Sequence, residues 1–574
     1  MQKISGFKTT LAFLSFVTVL TQRASAVTFE THRLDSQSAT MTMKLDQSDF
    51  QLQSFEKSGT VFTQVLRSPE LGEGTLALIP GEPNVPTVRK LLALKASGVY
   101  SVRVEYSNPV SFENITLDPK QANKLERSKD DSFAWNPALY QSMKTLGADS
   151  AVESVATQQM GHLPVLPIDF KSFSYSPSER TLTVYQTATV SIDAVTKASA
   201  RKIRDFAKSL SQFDLARLNS AVLGGEDLLA AKSNEKMVSI ANAKVLVLTS
   251  ADLKAKAEEF TKLHNGDGYS FTIETVQAGV TTEDIKNRIT KAHDAEGTSV
   301  VIFYADIDVI PLATWNDYPS DSYYTYLGAD SLVDILLGRI PAKTAAQATI
   351  FNNKVAEFLK NRSSGYSSKK VMLVAHAEQY PGKYTANMED VRKAANPKGL
   401  SYVTEYGGAG AKNKDVLAEA NKGYAIINYR GHGSETEWWD WDKESQPFNL
   451  DRVNDMSNYG TSLTMIFNIA CSTGGIQESY ETLSEHMLFV EPKDGANRGA
   501  VTVVAATVPS YTEINNRFDK HIFEVIQKTT KASVGQIYAE ANDMLVNEGA
   551  GQMNDNTQMY LLLGDPLLVP QLEK

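Results

Sequence analysis

One cysteine, Cys471, occurs in 574 residues, so no intrachain disulfide can brace the fold and the chain has to be held by packing. There is no HExxH pair, no paired CxxC and no GxxxxGK[ST] loop, which removes the commonest sequence grounds for zinc or nucleotide chemistry. Formal net charge is −10, with acids and bases interleaved and no Lys/Arg block. A nucleic-acid partner is therefore not expected. Beyond the first residues no run approaches the roughly 18 to 20 apolar residues of a spanning helix, so the mature chain is expected to be soluble, without stable membrane insertion. His32, His162, His264, His293, His486 and His521 have no second ligand at helical or hairpin spacing and read as surface or packing residues.

What is present divides the chain by period. Lys3 and Lys8 precede an apolar stretch at 11–20 and the small-x-small sequence Ala24-Ser25-Ala26, which reads as a signal peptide at 1–26 and implies export. Residues 27–200 read mainly as strands, at 75–79, 100–106 and 181–192. The last two alternate apolar and polar residues, as in an antiparallel sandwich or roll with one wetted face. Residues 201–240 are polar helix formers around Gly224-Gly225 and read as a linker. Thereafter continuous apolar strands at 244–249, 299–304, 371–375, 425–429, 464–470 and 499–505 alternate with amphipathic helices at 252–263, 282–293 and 344–361. This predicts a mostly parallel α/β sheet flanked by helices on both faces, divided into subdomains at 241–368 and 369–574.

Two of these strands end in reactive side chains. Cys471 follows the apolar run 465–470 and precedes Ser472-Thr473-Gly474-Gly475; His432, 39 positions earlier, follows the run 424–429 within Arg430-Gly431-His432-Gly433. In open α/β sheets ligands bind outside the carboxyl ends of strands, and a single Cys with a His elsewhere is a candidate nucleophile and base. The alternative is that Cys471 is a small buried hydrophobe. The flanking glycines, which allow close backbone approach, favour chemistry.

The segment Asn428-Tyr429-Arg430-Gly431-His432-Gly433-Ser434-Glu435-Thr436-Glu437-Trp438 resembles the histidine segment of the gingipains, secreted cysteine endopeptidases of caspase-like fold. Phe467-Asn468-Ile469-Ala470-Cys471-Ser472-Thr473-Gly474 resembles their nucleophile segment. Ser320-Asp321-Ser322-Tyr323-Tyr324, Gly338-Arg339-Ile340-Pro341, Gly564-Asp565-Pro566 and, in the amino-terminal half, Gly81-Glu82-Pro83-Asn84-Val85-Pro86 agree with it. The resemblance implies a caspase-like peptidase preceded by a β-rich propeptide that inhibits it. Cys471 is then nucleophile and His432 acid/base, with the amides of Gly433 and Cys471 as oxyanion donors. Glu378 orients the imidazole, unless it is a solvated loop carboxylate. His376 is a rival base, expected to point into the packing layers.

For specificity, the resemblance puts an acid for basic P1 side chains at Glu389 or Asp390, although the same residues read as an ordinary helix start. Tyr511 falls at a pocket wall, and Trp438, Trp439 and Trp441 either line the cleft or cap the sheet edge. The long His-to-Cys spacing implies a larger loop at 442–458. Arg217, Lys232 and Lys236 are candidate activation bonds. No cofactor is required; structural calcium is plausible from relatives, with no ligands assigned because no EF-hand spacing occurs. Two functions follow: a secreted zymogen hydrolysing protein or peptide substrates, extracellular or periplasmic, possibly after Arg or Lys, or a catalytically silent binding scaffold.

Overall fold

In a computed structural model, residues 27–572 are described apart from gaps of one to four residues and most of 196–242, where only Asp214, Arg217 and 222–225 are described. The expected signal peptide and the bonds at Lys232 and Lys236 lie outside the described residues.

The half after residue 242 is built on one ten-stranded sheet. Its strands are β1 (Ala243–Thr249), β2 (Tyr269–Thr275), β3 (Thr298–Tyr304), β4 (Leu336–Arg339), β5 (Lys370–Ala375), β6 (Ser401–Tyr406), β7 (Ile426–Arg430), β8 (Thr464–Ile469), β9 (Ala500–Ala506) and β10 (Tyr560–Gly564). They lie in the order β2-β1-β3-β4-β10-β9-β8-β7-β5-β6. β3, β8 and β9 are buried at every residue, as their unbroken apolar runs require when helices cover both faces. Every pairing is parallel except β9 with β10, which is antiparallel. The five strands from β9 to β6 therefore point their carboxyl ends to one edge of the sheet, and the other five to the opposite edge.

The seam explains two sequence motifs. A Cβ at Gly338 would lie 2.8 Å from the carbonyl oxygen of Gly564 and against the Pro566 ring, so only glycine lets β4 come this close to β10. Beside it the fully buried Arg339 guanidinium donates to both carboxylate oxygens of Asp321 at 2.7 and 2.6 Å, a bidentate geometry that satisfies both buried ions.

The amino-terminal region is antiparallel. Thr28–Leu34, Ser38–Lys44, Thr181–Ala194, Val99–Phe112 and Val152–Ala156 form one sheet, with Phe173–Ser176 attached to Thr181–Ala194. Val88–Ala93, Leu163–Phe170 and Gln158–Met160 form another. Val102, Val190 and Ile192 of the first share a core with Leu92, Leu166 and Phe170 of the second. The expected strand at 75–79 is absent: Thr75 makes a single bridge to Pro86, and Leu78 and Ile79 are exposed. Arg217, read as an accessible linker bond, is buried, donating to the Val333 carbonyl at 2.6 Å and pairing with Asp543 at 3.4 Å. Among the described residues no helix is long and apolar enough to cross a membrane.

Candidate active site

Four adjacent strands deliver the site. In sheet order β9, β8, β7 and β5, the segments just past their carboxyl ends carry Ser510, Cys471, His432 and Glu378. The register pairs Arg430 of β7 with Ile469 of β8, so His432 and Cys471 each stand two residues beyond a matched pair. Gly433 brings the two loops together: a Cβ there would lie 2.6 Å from the Cys471 carbonyl oxygen and 2.7 Å from Thr473 Cγ2. Ser472, directly after the thiol, is held at φ 55°, a left-handed conformation that a non-glycine residue adopts only when its surroundings enforce it.

The imidazole is fixed from several sides. The His432 carbonyl accepts from Tyr429 Oη at 2.7 Å and from the Trp439 amide at 3.2 Å. Its Nε2 contacts Glu378 Oε2, and Tyr384 Oη stands 3.3 Å from Nδ1. Burial lowers the His432 pKa, and Glu378 only partly offsets this. Burial raises the Glu378 carboxyl, but Lys383, 3.2 Å from Oε1, and His432 outweigh it and hold it below its ordinary value. The thiol is buried, with Sγ 3.4 Å from the Ser510 amide nitrogen.

A segment of the amino-terminal region enters this site. Leu125 bridges Tyr511 in antiparallel fashion, the Glu126 amide donates to the Ser510 carbonyl at 2.9 Å, and the Thr512 amide donates to the Lys124 carbonyl at 3.0 Å. The Glu126 carboxylate is buried and takes two donors on each oxygen. Oε1 accepts from Tyr384 Oη at 2.7 Å and Thr512 Oγ1 at 3.3 Å; Oε2 accepts from Asn515 Nδ2 at 2.7 Å and pairs with Arg430 Nη1 at 3.0 Å. Burial favours the neutral form of Arg430, yet Glu126 and neighbouring tyrosines raise its pKa above the ordinary value.

The remaining residues expected at the site are placed as follows. Glu389 accepts from Arg392 Nε at 2.9 Å and from Tyr406 Oη at 2.8 Å on the edge strand β6, while Asp390 is exposed and 3.4 Å from Lys393. Tyr511 lies at the cleft, in backbone register with Leu125. Trp438 is core, stacked between Tyr429 at 4.1 Å and Phe448 at 4.5 Å, with its indole N–H on Asn468. Trp439 is the partly exposed member, 6.3 Å from His432. His376 does not point into the packing layers: it meets His432 edge to face at 4.7 Å, and burial followed by His432 pushes it down to about 4. The expected large loop at 442–458 holds a short strand, Phe448–Asn449, and a helix, Leu450–Asn454. Sequence reasoning missed Glu126, Tyr384 and Asn515, and took Arg430 only as part of a motif. An arginine ending an apolar run was the one available signal. Among the described residues no group of three or more His, Cys, Asp or Glu could hold a metal ion, so no calcium site is assigned.

Comparison with known proteins finds matches to both parts of the chain. The sequence profile of peptidase family C25 matches residues 238–571, and the profile of the C25 propeptide matches 27–214. Gingipain R2 of Porphyromonas gingivalis is 21% identical over 468 residues, which cover 77% of this chain and 60% of that protein. Lys-gingipain HG66 of the same species is 22% identical over 488 residues, covering 81% of this chain and 27% of that protein. The chain thus spans less than two thirds of these relatives' lengths. The crystal structure of the Arg-specific cysteine proteinase gingipain R (RgpB) superposes with a TM-score of 0.52 at 19% identity, covering 57% of this chain and 78% of that one. The complex of Porphyromonas gingivalis RgpB pro- and mature domains superposes with a TM-score of 0.51 at 19% identity, covering 57% and 80%. These likenesses show the fold. With the family profile matching more than half of its residues, behind a matching propeptide, the chain belongs to peptidase family C25.

Proposed function

We propose that this chain is the exported zymogen of a cysteine endopeptidase, silenced by its own amino-terminal domain. The observation that carries the reading is the delivery of Cys471, His432 and Glu378 by neighbouring strand tips, with Glu378 on the imidazole. His432 takes the Cys471 thiol proton, the sulfur attacks the peptide carbonyl carbon, the C–N bond breaks, and His432 passes that proton to the leaving amine. Water, deprotonated by His432, then opens the thioester and regenerates the thiol. Glu378 holds the ring and stabilises its charged form, and the amides of Gly433 and Cys471 receive the developing oxyanion. Latency is supported by residues 124–126, which pair with 510–512 beside the thiol.

The relatives' names carry Arg and Lys, but Glu389 and Asp390, the acids expected to read such side chains, pair with Arg392 and Lys393 of their own helix. A basic preference is therefore not transferred to this chain. The test compares wild-type protein with Cys471→Ala. Hydrolysis of a mixed peptide library and appearance of a new amino terminus are expected in wild type only. Equal processing and equal hydrolysis in both would end the reading and leave a silent scaffold.

A further inference from the structure

We propose that the pocket around Arg430 is the primary specificity site of the peptidase and selects a glutamate-like acidic side chain, with Glu126 lodged in it as an internal substrate mimic. The inference rests on the peptidase reading above and adds the substrate class.

The pocket belongs to the peptidase part alone. Arg430 ends β7, Tyr384 opens the helix Lys383–Ala395, and Thr512 and Asn515 open the helix Thr512–Lys528. Arg430 and Asn515 are held in place by contacts other than Glu126. The Arg430 guanidinium donates to the Thr512 carbonyl at 2.7 Å and the Ile469 carbonyl at 3.4 Å. The Asn515 amide oxygen accepts from Tyr560 Oη at 2.9 Å, which turns the NH2 toward the carboxylate. A site whose donors stand ready before the ligand arrives loses little on binding.

The approach is that of an extended peptide. Lys124 to Glu126 adds as an antiparallel strand to 510–512, the mode in which main-chain bonds give affinity and pockets read side chains. Ser510 joins the two halves of the site: its carbonyl takes the Glu126 amide, and its own amide lies 3.4 Å from Cys471 Sγ. Tyr384 Oη likewise touches both the carboxylate, at 2.7 Å, and His432 Nδ1, at 3.3 Å. The carboxylate pocket is thus one hydroxyl away from the candidate acid/base.

The same donors reject cations. A Lys or Arg side chain entering here would meet the buried Arg430, with Lys383 at the rim. Asp519, one helical turn from Asn515, is already bonded to Asn428 Nδ2 at 2.9 and 3.1 Å. A neutral side chain would remove the carboxylate paired with Arg430 at 3.0 Å and leave only the Asn428-bonded Asp519 to offset its buried charge, an arrangement that discriminates strongly.

The experiment uses the full chain carrying Glu126→Ala, which frees the pocket. Irreversible peptidyl ketones that differ only at P1, with Glu, Gln, Arg or Lys, are compared by the rate at which each adds mass to Cys471. The Glu reagent is expected to react at least about 100-fold faster than the others. Adding Arg430→Gln should bring it to within about 3-fold of the Gln reagent. Faster labelling by Arg or Lys, or equal rates for Glu and Gln, overturns the acidic pocket and leaves the peptidase reading intact. If no ketone reacts while iodoacetamide alkylates Cys471 in a cooperatively melting protein, both readings fall. Should Glu126→Ala not fold, Glu126→Gln, which keeps the side-chain shape, takes its place with the same outcomes.

Discussion

The helix Lys383–Ala395 has two ends with opposite fates. At its start Lys383 and Tyr384 turn inward, the tyrosine fully buried between Glu126 and His432. Half-way along, Glu389 and Asp390 lie on the outer side, neutralised by Arg392 and Lys393 one turn later. The two acids half-way along this helix are thus claimed by local partners at i+3, while the carboxylate in the Arg430 pocket arrives from the amino-terminal region. Proximity in sequence is a poor guide to which charge faces a cleft; burial without a local partner is a better one.

The inner end should be the sensitive one. In processed protein, Arg430→Gln is expected to lower kcat/KM for peptides cleaved after Glu by about 100-fold or more, with a far smaller effect on a Gln peptide; equal losses on both would make Arg430 merely structural. Glu378→Gln leaves the imidazole without its anionic partner and should reduce kcat by about 10- to 1000-fold with KM little changed, read by steady-state kinetics across pH. Removing only the latch, Glu126→Ala strands the buried Arg430 charge. It should weaken docking of the amino-terminal domain by roughly 3 to 5 kcal/mol, seen as faster loss of latency and a lower first melting transition.

A smaller effect tests a buried charge cluster away from the pocket. His521, buried against Glu524 and Glu548, is pulled up from 6.5 to about 9: burial alone would lower it, and the two carboxylates outweigh that. A raised histidine stabilises fully below its unfolded pKa and loses that contribution as pH climbs through the folded one. Melting temperature should therefore fall between pH 6.5 and 9 by about 2 to 4 °C more in wild type than in His521→Asn. Smallest of all, Glu389→Gln combined with Asp390→Asn should change stability by no more than about 0.5 kcal/mol and leave kcat/KM unaltered. A large loss for basic peptides in that double variant would reverse the comparison.

Much of the catalytic edge was legible because its signals are local. An apolar run followed by Gly431-His432-Gly433, and another followed by Cys471-Ser472-Thr473-Gly474, fix strand, turn and reactive group within a dozen residues each. The carboxylate pocket was not legible, because Glu126 meets Tyr384 across 258 positions and Asn515 across 389, and no periodicity encodes such a pairing. His376 was misplaced for a related reason: strand alternation fails once the chain leaves the strand, which ends at Ala375, while Trp438 sits on the two-residue strand Glu437–Trp438, too short for any period to mark. Strands β2, β4, β6 and β10 escaped the period reading too. β2 and β6 are partly exposed edges, β4 has only Leu336–Arg339, and β10 is five residues long.

That last short strand sets the order of manufacture. Among the described residues β10 is the one strand bonded to both β4 and β9, so β1 to β4 share no sheet with β5 to β9 until residues 560–564 are in place. The amino-terminal domain, synthesised hundreds of residues earlier, has by then had time to fold. The seam between the two blocks is therefore the last part of this sheet to close, long after the segment at 124–126 that pairs beside the thiol has been made.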